Sequence, residues 1–144
     1  MLKNELDQKV RDYRIKQPPF EEQQAEMAER IKKDSNYVWE ALKKVFIRKY
    51  SVNKPLNIIV GICNNSNDTQ GTGHVYFKLE DDILYRRLVF KKVKYIKETM
   101  EAIREIAESE GIICEHDKWE PRLANFLIYR TATWYKFTYE PPEE

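Results

Sequence analysis

The sequence has little cysteine, little glycine and no long apolar run. Its 144 residues include two cysteines, two histidines and four glycines. No apolar stretch approaches the roughly 20 residues that a membrane-spanning helix needs, and residues 1–14 lack the apolar segment of a signal peptide. We therefore expect a cytoplasmic protein with no membrane partner. In such a reducing compartment Cys63 and Cys114 are expected to be free thiols.

The chain also lacks a strong excess of charge of either sign. Its 25 basic and 24 acidic residues leave a formal net charge of +1, whereas proteins that coat nucleic acids are usually far more basic. Hydrophobic residues make up 42% and aromatic residues 12%, which is typical of chains that fold around a core. The length predicts one domain over residues 1–144.

The N-terminal third has the pattern of helices. Apolar residues recur at helical spacing over residues 2–16, and Pro18 and Pro19 interrupt them, so residues 1–18 are expected to form a separate N-terminal helix. A second helix is predicted to start near Pro19. Asp34 or Ser35 could cap a third helix. One long bent helix through this pair is the alternative.

The rest of the chain alternates short apolar segments with one clear helix. The helix is predicted over residues 93–110, with Gly111 at its C-terminal cap. The sequence thus predicts an α+β fold: two or three N-terminal helices, then a mainly antiparallel sheet of about five strands with the 93–110 helix packed on it. A frayed acidic tail is expected at 141–144. Strands are predicted at 56–63, 74–80, 83–92, 111–119 and 126–139.

The leading functional hypothesis is a small, non-enzymatic domain that binds a protein partner or a second copy of itself. No catalytic signature is present, and no cofactor or small-molecule substrate is implied. Small size without such a signature is typical of regulators and inhibitors from phages and other mobile elements. The expected contacts lie in the long loop 64–73 and the aromatic C-terminal strand, because long loops and exposed aromatic patches mark interfaces. The candidate residues are Asn65, Asp68, Gln70, Trp134, Tyr135, Phe137 and Tyr139.

Nucleic-acid binding is the first alternative. The segment 86–97 contains six cations and no acid, with Phe90 and Tyr95 among them. Cations displace counterions from phosphates, and aromatic rings stack on bases, so a strand that presents both could hold a single-stranded nucleic acid. The cations are Arg86, Arg87, Lys91, Lys92, Lys94 and Lys97.

A cysteine–histidine site is the second alternative. Cys63 and His74 end and begin two consecutive predicted strands, and Cys114 and His116 stand two apart on another. If the strands are neighbours, the four side chains could bind zinc tetrahedrally, or one thiol and one imidazole could form a nucleophilic dyad. The spacing matches no common zinc module, so buried cysteines and surface histidines are the simpler interpretation.

Overall fold

The fold is α+β, as predicted. The computed structural model describes residues 1–16, 20–65, 73–79, 86–117 and 129–143. Its helices are α1 (Leu2–Lys16), α2 (Phe20–Lys49) and α3 (Ile96–Ser109), and its strands are β1 (Leu56–Asn65), β2 (Gly73–Leu79), β3 (Arg86–Val93), β4 (Ile113–Asp117) and β5 (Tyr129–Tyr139).

Helix α2 is continuous over 30 residues, so of the two N-terminal arrangements the long helix is correct and the third helix is not formed. Asp34 and Ser35 do not cap a helix because their side chains make bonds within α2. The Asp34 carboxylate accepts a hydrogen bond from Arg30 Nε at 2.9 Å, and Ser35 Oγ donates to the Lys32 carbonyl at 3.1 Å. Both residues are buried within the continuous helix. No helix in the described part of the chain is long and apolar enough to cross a bilayer.

The five strands form one antiparallel sheet in the order β3-β2-β1-β5-β4. Strand β1 lies at the centre, where its unbroken apolar sequence is buried on both faces. The C-terminal strand β5 pairs with β1 over almost its whole length and also carries the short edge strand β4. The last strand of the chain is therefore part of the middle of the sheet.

The core lies between one face of the sheet and helices α2 and α3. Val38, Leu42 and Val45 of α2 are fully buried there, as are Met100 and Ile103 of α3. Strand residues of alternating position complete the core, as expected for a sheet with one helix-covered face. The strand contributors include Ile58, Val60, Ile62, Val75, Phe77 and Phe137.

Helix α3 is shorter than the predicted 93–110 helix. Val93 ends β3 instead, although its side chain joins the same core. Gly111 has a φ of +84°, and the Ile112 amide donates to the Ala107 carbonyl at 2.9 Å. The predicted glycine cap is confirmed, because a left-handed residue suits glycine and lets the chain turn directly into β4.

Candidate functional site

Helix α1 presents an apolar stripe that stays exposed in the part of the chain that the structure describes. None of its 15 described residues is buried. Leu2, Leu6, Val10 and Tyr13 stand three or four residues apart, so they lie on one side of the helix. Their exposed fractions are between 47% and 68%. A helix of this length is marginally stable in water by itself, so a contact along its apolar side would stabilise it.

The first half of α2 carries an apolar stripe of its own. Phe20, Met27 and Ile31 share one side of α2 at the same spacing. Phe20 is 71% exposed, whereas Met27 and Ile31 are half-buried. Further along the helix the same side enters the core at Val38. We call residues 2–16 and 20–31 together the arm.

Beside the arm, α2 and α3 form an open groove. Its volume is about 450 Å³, and Ala28, Ile31, Ala102 and Ile106 supply its apolar lining. Lys32 and Glu105 stand at its polar border. Because Ile31 belongs to both, the apolar stripe of α2 is continuous with the groove between α2 and α3.

Charge is divided unequally along the arm. Residues 9–16 of α1 contain four basic residues and one acid, whereas residues 20–29 of α2 contain four glutamates and no basic residue. Every one of these charged side chains is exposed. The arm thus has a positive segment in α1 and a negative segment in α2.

A second group of polar residues joins α3 to the edge of the sheet. Arg104 binds Glu101 at 2.5 Å and Glu108 at 2.8 Å, and Tyr135 Oη donates to Glu101 Oε2 at 3.4 Å. The hydrogen bond from Arg104 is the main reason that the pKa of Glu101 is below its ordinary value. The His116 ring meets the Tyr135 ring edge to face, with centroids 4.5 Å apart. The bond from Tyr135 joins α3 to β5, and the ring contact joins β4 to β5.

Cys114 lies in this region, but its chemistry does not suit a nucleophile. The thiol packs against the core, and burial, followed by the charge of Glu108, raises its pKa to about 12. A thiol with that pKa is protonated at neutral pH, whereas catalytic cysteines need a lowered pKa. The dyad of Cys114 and His116 therefore lacks its activated nucleophile.

The sheet keeps the two cysteine–histidine couples apart. Cys63 is paired with His74 across β1 and β2, as predicted, and Cys114 and His116 share a face of β4. Along β5, however, Cys63 is opposite Thr131 and Cys114 is opposite Phe137. Thr131 and Phe137 are six residues apart on β5, so at roughly 3.3 Å per residue the two cysteines are about 20 Å apart along the strand direction. The ligands of one zinc ion lie far closer together than this.

Among the residues that the structure describes, no three His, Cys, Asp and Glu side chains lie close enough together to hold a metal ion. The register therefore does not bring the four predicted ligands into one tetrahedral site.

The basic segment is spread over β3 and the start of α3. Lys92, Lys94 and Lys97 are exposed, and Lys94 Nζ lies 5.5 Å from the centre of the Tyr95 ring. Only the backbone positions of Arg86, Arg87 and Lys91 are described. Glu26 and Glu29 of α2 line the same groove of about 210 Å³ as Lys94, together with Arg30, Lys33 and Tyr95. The surface there carries both signs of charge.

The aromatic residues of β5 are divided between core and surface. Tyr135 and Phe137 are buried in the core, so their rings are not open to a partner. Tyr139 is half-buried and lines a shallow apolar pocket of about 260 Å³ with Phe46 and Ile112. Trp134 is half-buried on the opposite face, and its indole Nε1 has no hydrogen-bond partner in the described part of the chain.

Of the loop candidates, Asn65 ends β1, whereas Asp68 and Gln70 lie outside the described residues.

The arm was not among the surfaces expected from the sequence, although its signal was present. The apolar spacing of residues 2–16 predicts the helix, but spacing alone does not say whether the stripe is covered by the same chain. Searches against protein-family models, curated proteins and solved structures find no match to this chain.

Proposed function

We propose that this protein is a non-enzymatic interaction domain that binds a protein partner through the apolar stripe of the arm. The observation that supports this most directly is the exposure of α1 along its whole length. An amphipathic helix that docks by one apolar side is a common mode of protein recognition. The sheet and its two packed helices would then serve as the scaffold for the arm.

The energetics favour the arm over the aromatic strand as the contact surface. Covering one leucine or phenylalanine side chain stabilises a complex by about 1.5–3 kcal/mol before the entropy of association is counted. The stripe offers five well-exposed apolar side chains at intervals suited to a facing helix or groove. They are Leu2, Leu6, Val10, Tyr13 and Phe20. By contrast, β5 has already used Tyr135 and Phe137 in the core.

A pull-down that compares matched variants tests this proposal. Tagged full-length wild type, Leu6→Glu/Val10→Glu and Arg11→Glu are incubated with an extract of the source cells. Arg11 lies on the side of α1 away from the stripe, so its variant controls for added negative charge. We expect a protein that wild type and Arg11→Glu retain and the stripe variant loses. Identical recoveries with the stripe variant would contradict the proposal.

Nucleic-acid binding is the second candidate function. The exposure of Lys92, Lys94 and Lys97 beside the Tyr95 ring favours it, and the acids in the same groove count against it. Fluorescence anisotropy with labelled single- and double-stranded DNA and RNA, over a range of salt concentrations, measures it. Neutralising Arg86, Arg87, Lys91 and Lys92 should weaken binding and flatten its salt dependence. Unchanged affinity would remove this candidate.

A further inference from the structure

We infer that the partner of the arm is a second copy of this chain, with the two arms packed antiparallel. In this arrangement α1 of each copy covers the first half of α2 of the other copy. The inference rests on the proposed function, because it specifies what binds the arm. A single two-fold symmetric interface then covers four exposed helical segments. The two-fold dimer is also the commonest form of self-association.

The apolar residues of the arm match in this arrangement. Every α-helix rises by the same distance per residue. On two antiparallel helices, pairs of residues with the same spacing can therefore lie opposite each other. When Val10 lies opposite Met27 of the second copy, Leu6 lies opposite Ile31, because both pairs are four residues apart. Leu2 then reaches the end of the groove between α2 and α3 that Ile31 lines. Two apolar pairs of the two stripes therefore face each other in this register.

The charges of the arm support an antiparallel arrangement and oppose a parallel one. Antiparallel packing places the basic residues that flank the α1 stripe, Lys9 and Arg14, on the acidic segment 20–29 of α2. On the helical wheel, Arg14 of α1 and Glu21 of α2 stand beside the apolar stripe on the same side, where antiparallel packing brings them together. A parallel dimer would place the basic segments against each other and the acidic segments against each other, which like charges disfavour.

The same antiparallel contacts would arise if α1 folded back on α2 of its own chain. In this structure α1 does not do so, because its stripe and Phe20 remain exposed. The two arrangements share their contacts and differ in their dependence on concentration. Association between copies is concentration-dependent, whereas a hairpin within one chain is not.

Sedimentation velocity of the full chain, with a charge exchange across the interface, tests the inference. We expect wild type to pass from monomer to dimer as concentration rises. Glu21→Lys should weaken the dimer about tenfold, and Arg14→Glu/Glu21→Lys should restore it to about the wild-type value. Arg11→Glu, on the opposite side of α1, should leave the dissociation constant unchanged. Wild type that stays monomeric throughout, or a dimer unaffected by Glu21→Lys, would overturn the inference.

Disulfide trapping separates the two-copy dimer from the hairpin. In a Cys63→Ala/Cys114→Ala background, Val10→Cys chains are mixed with Met27→Cys chains and oxidised. A disulfide needs Cα atoms within about 7 Å, so a covalent dimer joining one chain of each kind supports the inference. A chain with both cysteines that closes only on itself would overturn it. If wild type is monomeric but the stripe-dependent protein is still recovered from cell extract, the inference fails and the proposed function remains.

Discussion

At the scale of single residues, the ring of Tyr76 in β2 occupies the space beside Gly61 in β1. The two residues are cross-strand partners, and the tyrosine ring lies against the glycine backbone where a Cβ would stand. Tyr76 is itself buried, so the ring has little room to move away. The absence of a side chain at Gly61 is therefore a packing requirement at the centre of the sheet.

Gly61→Ala should destabilise the domain by about 1–3 kcal/mol, because the added methyl group overlaps the Tyr76 ring. Urea unfolding followed by circular dichroism measures the loss. The same alanine placed in a Tyr76→Ala background should cost clearly less, since the clashing ring is gone. Equal costs in the two backgrounds would show that the ring is not the cause.

Cys114 predicts a loss of stability in alkaline solution. Its pKa is raised from an ordinary 9.0 to about 12 in the folded state. Stability from the neutral thiol is therefore present below pH 9 and is lost as pH rises towards 12. At pH 10.5 the loss should be about 1 kcal/mol, after a discount for the half-exposed position of the thiol.

The comparison of wild type with Cys114→Ala isolates this loss from other groups that titrate in the same range. Between pH 7.5 and pH 10.5, the urea midpoint of unfolding should fall further for wild type than for the variant. Parallel falls would mean that the thiol titrates normally in the folded protein.

At the scale of elements, α2 has two halves with different roles. From Asp34 onward its buried side forms part of the core, and before Met27 each described residue is exposed. At about 1.5 Å per residue the helix is some 45 Å long, so it can hold the domain at one end and present the arm at the other.

This division predicts that similar substitutions in α2 and α1 change the free energy of unfolding by very different amounts. Leu42→Ala should lower the free energy of unfolding by about 2–5 kcal/mol, because Leu42 is fully buried. Leu6→Ala/Val10→Ala should change it by less than about 0.5 kcal/mol at concentrations where the protein is monomeric. Chemical denaturation at low micromolar concentration measures both. A large effect of the α1 substitutions under those conditions would mean that α1 belongs to the core.

The elements that follow from a strong local pattern were predictable, and their ends were less so. Unbroken apolar residues in β1 and the glycine after α3 identify both elements, because each depends on neighbouring residues alone. The start of α3 was misplaced because Val93 fits the apolar stripe of the helix but is paired with Gly73 in the sheet. The pairing of β5 with the central strand depends on residues some 70 positions apart, which local patterns do not encode.

At the scale of the whole molecule, the structure is a scaffold with an uncovered helical arm. The sequence identifies candidate residues by their chemical type. The fold decides which of them are buried and which are exposed. Tyr135 and Phe137 look like contact residues because aromatic side chains suit both cores and interfaces, and only the sheet shows that they are in the core. The α1 stripe looks like core from its spacing, and only the fold shows that it is exposed.

Hydrogen exchange of residues 2–16 in the full chain is the most direct test of the claim that the arm docks on a second copy of the chain. Exchange is measured by mass spectrometry at about 1 µM and about 200 µM, with Leu6→Glu/Val10→Glu as the control. The account predicts that α1 amides exchange rapidly in the dilute sample and slow at least tenfold in the concentrated one, while the control stays fast. Slow exchange of α1 at both concentrations, or fast exchange at both, would contradict docking of the arm on a second copy.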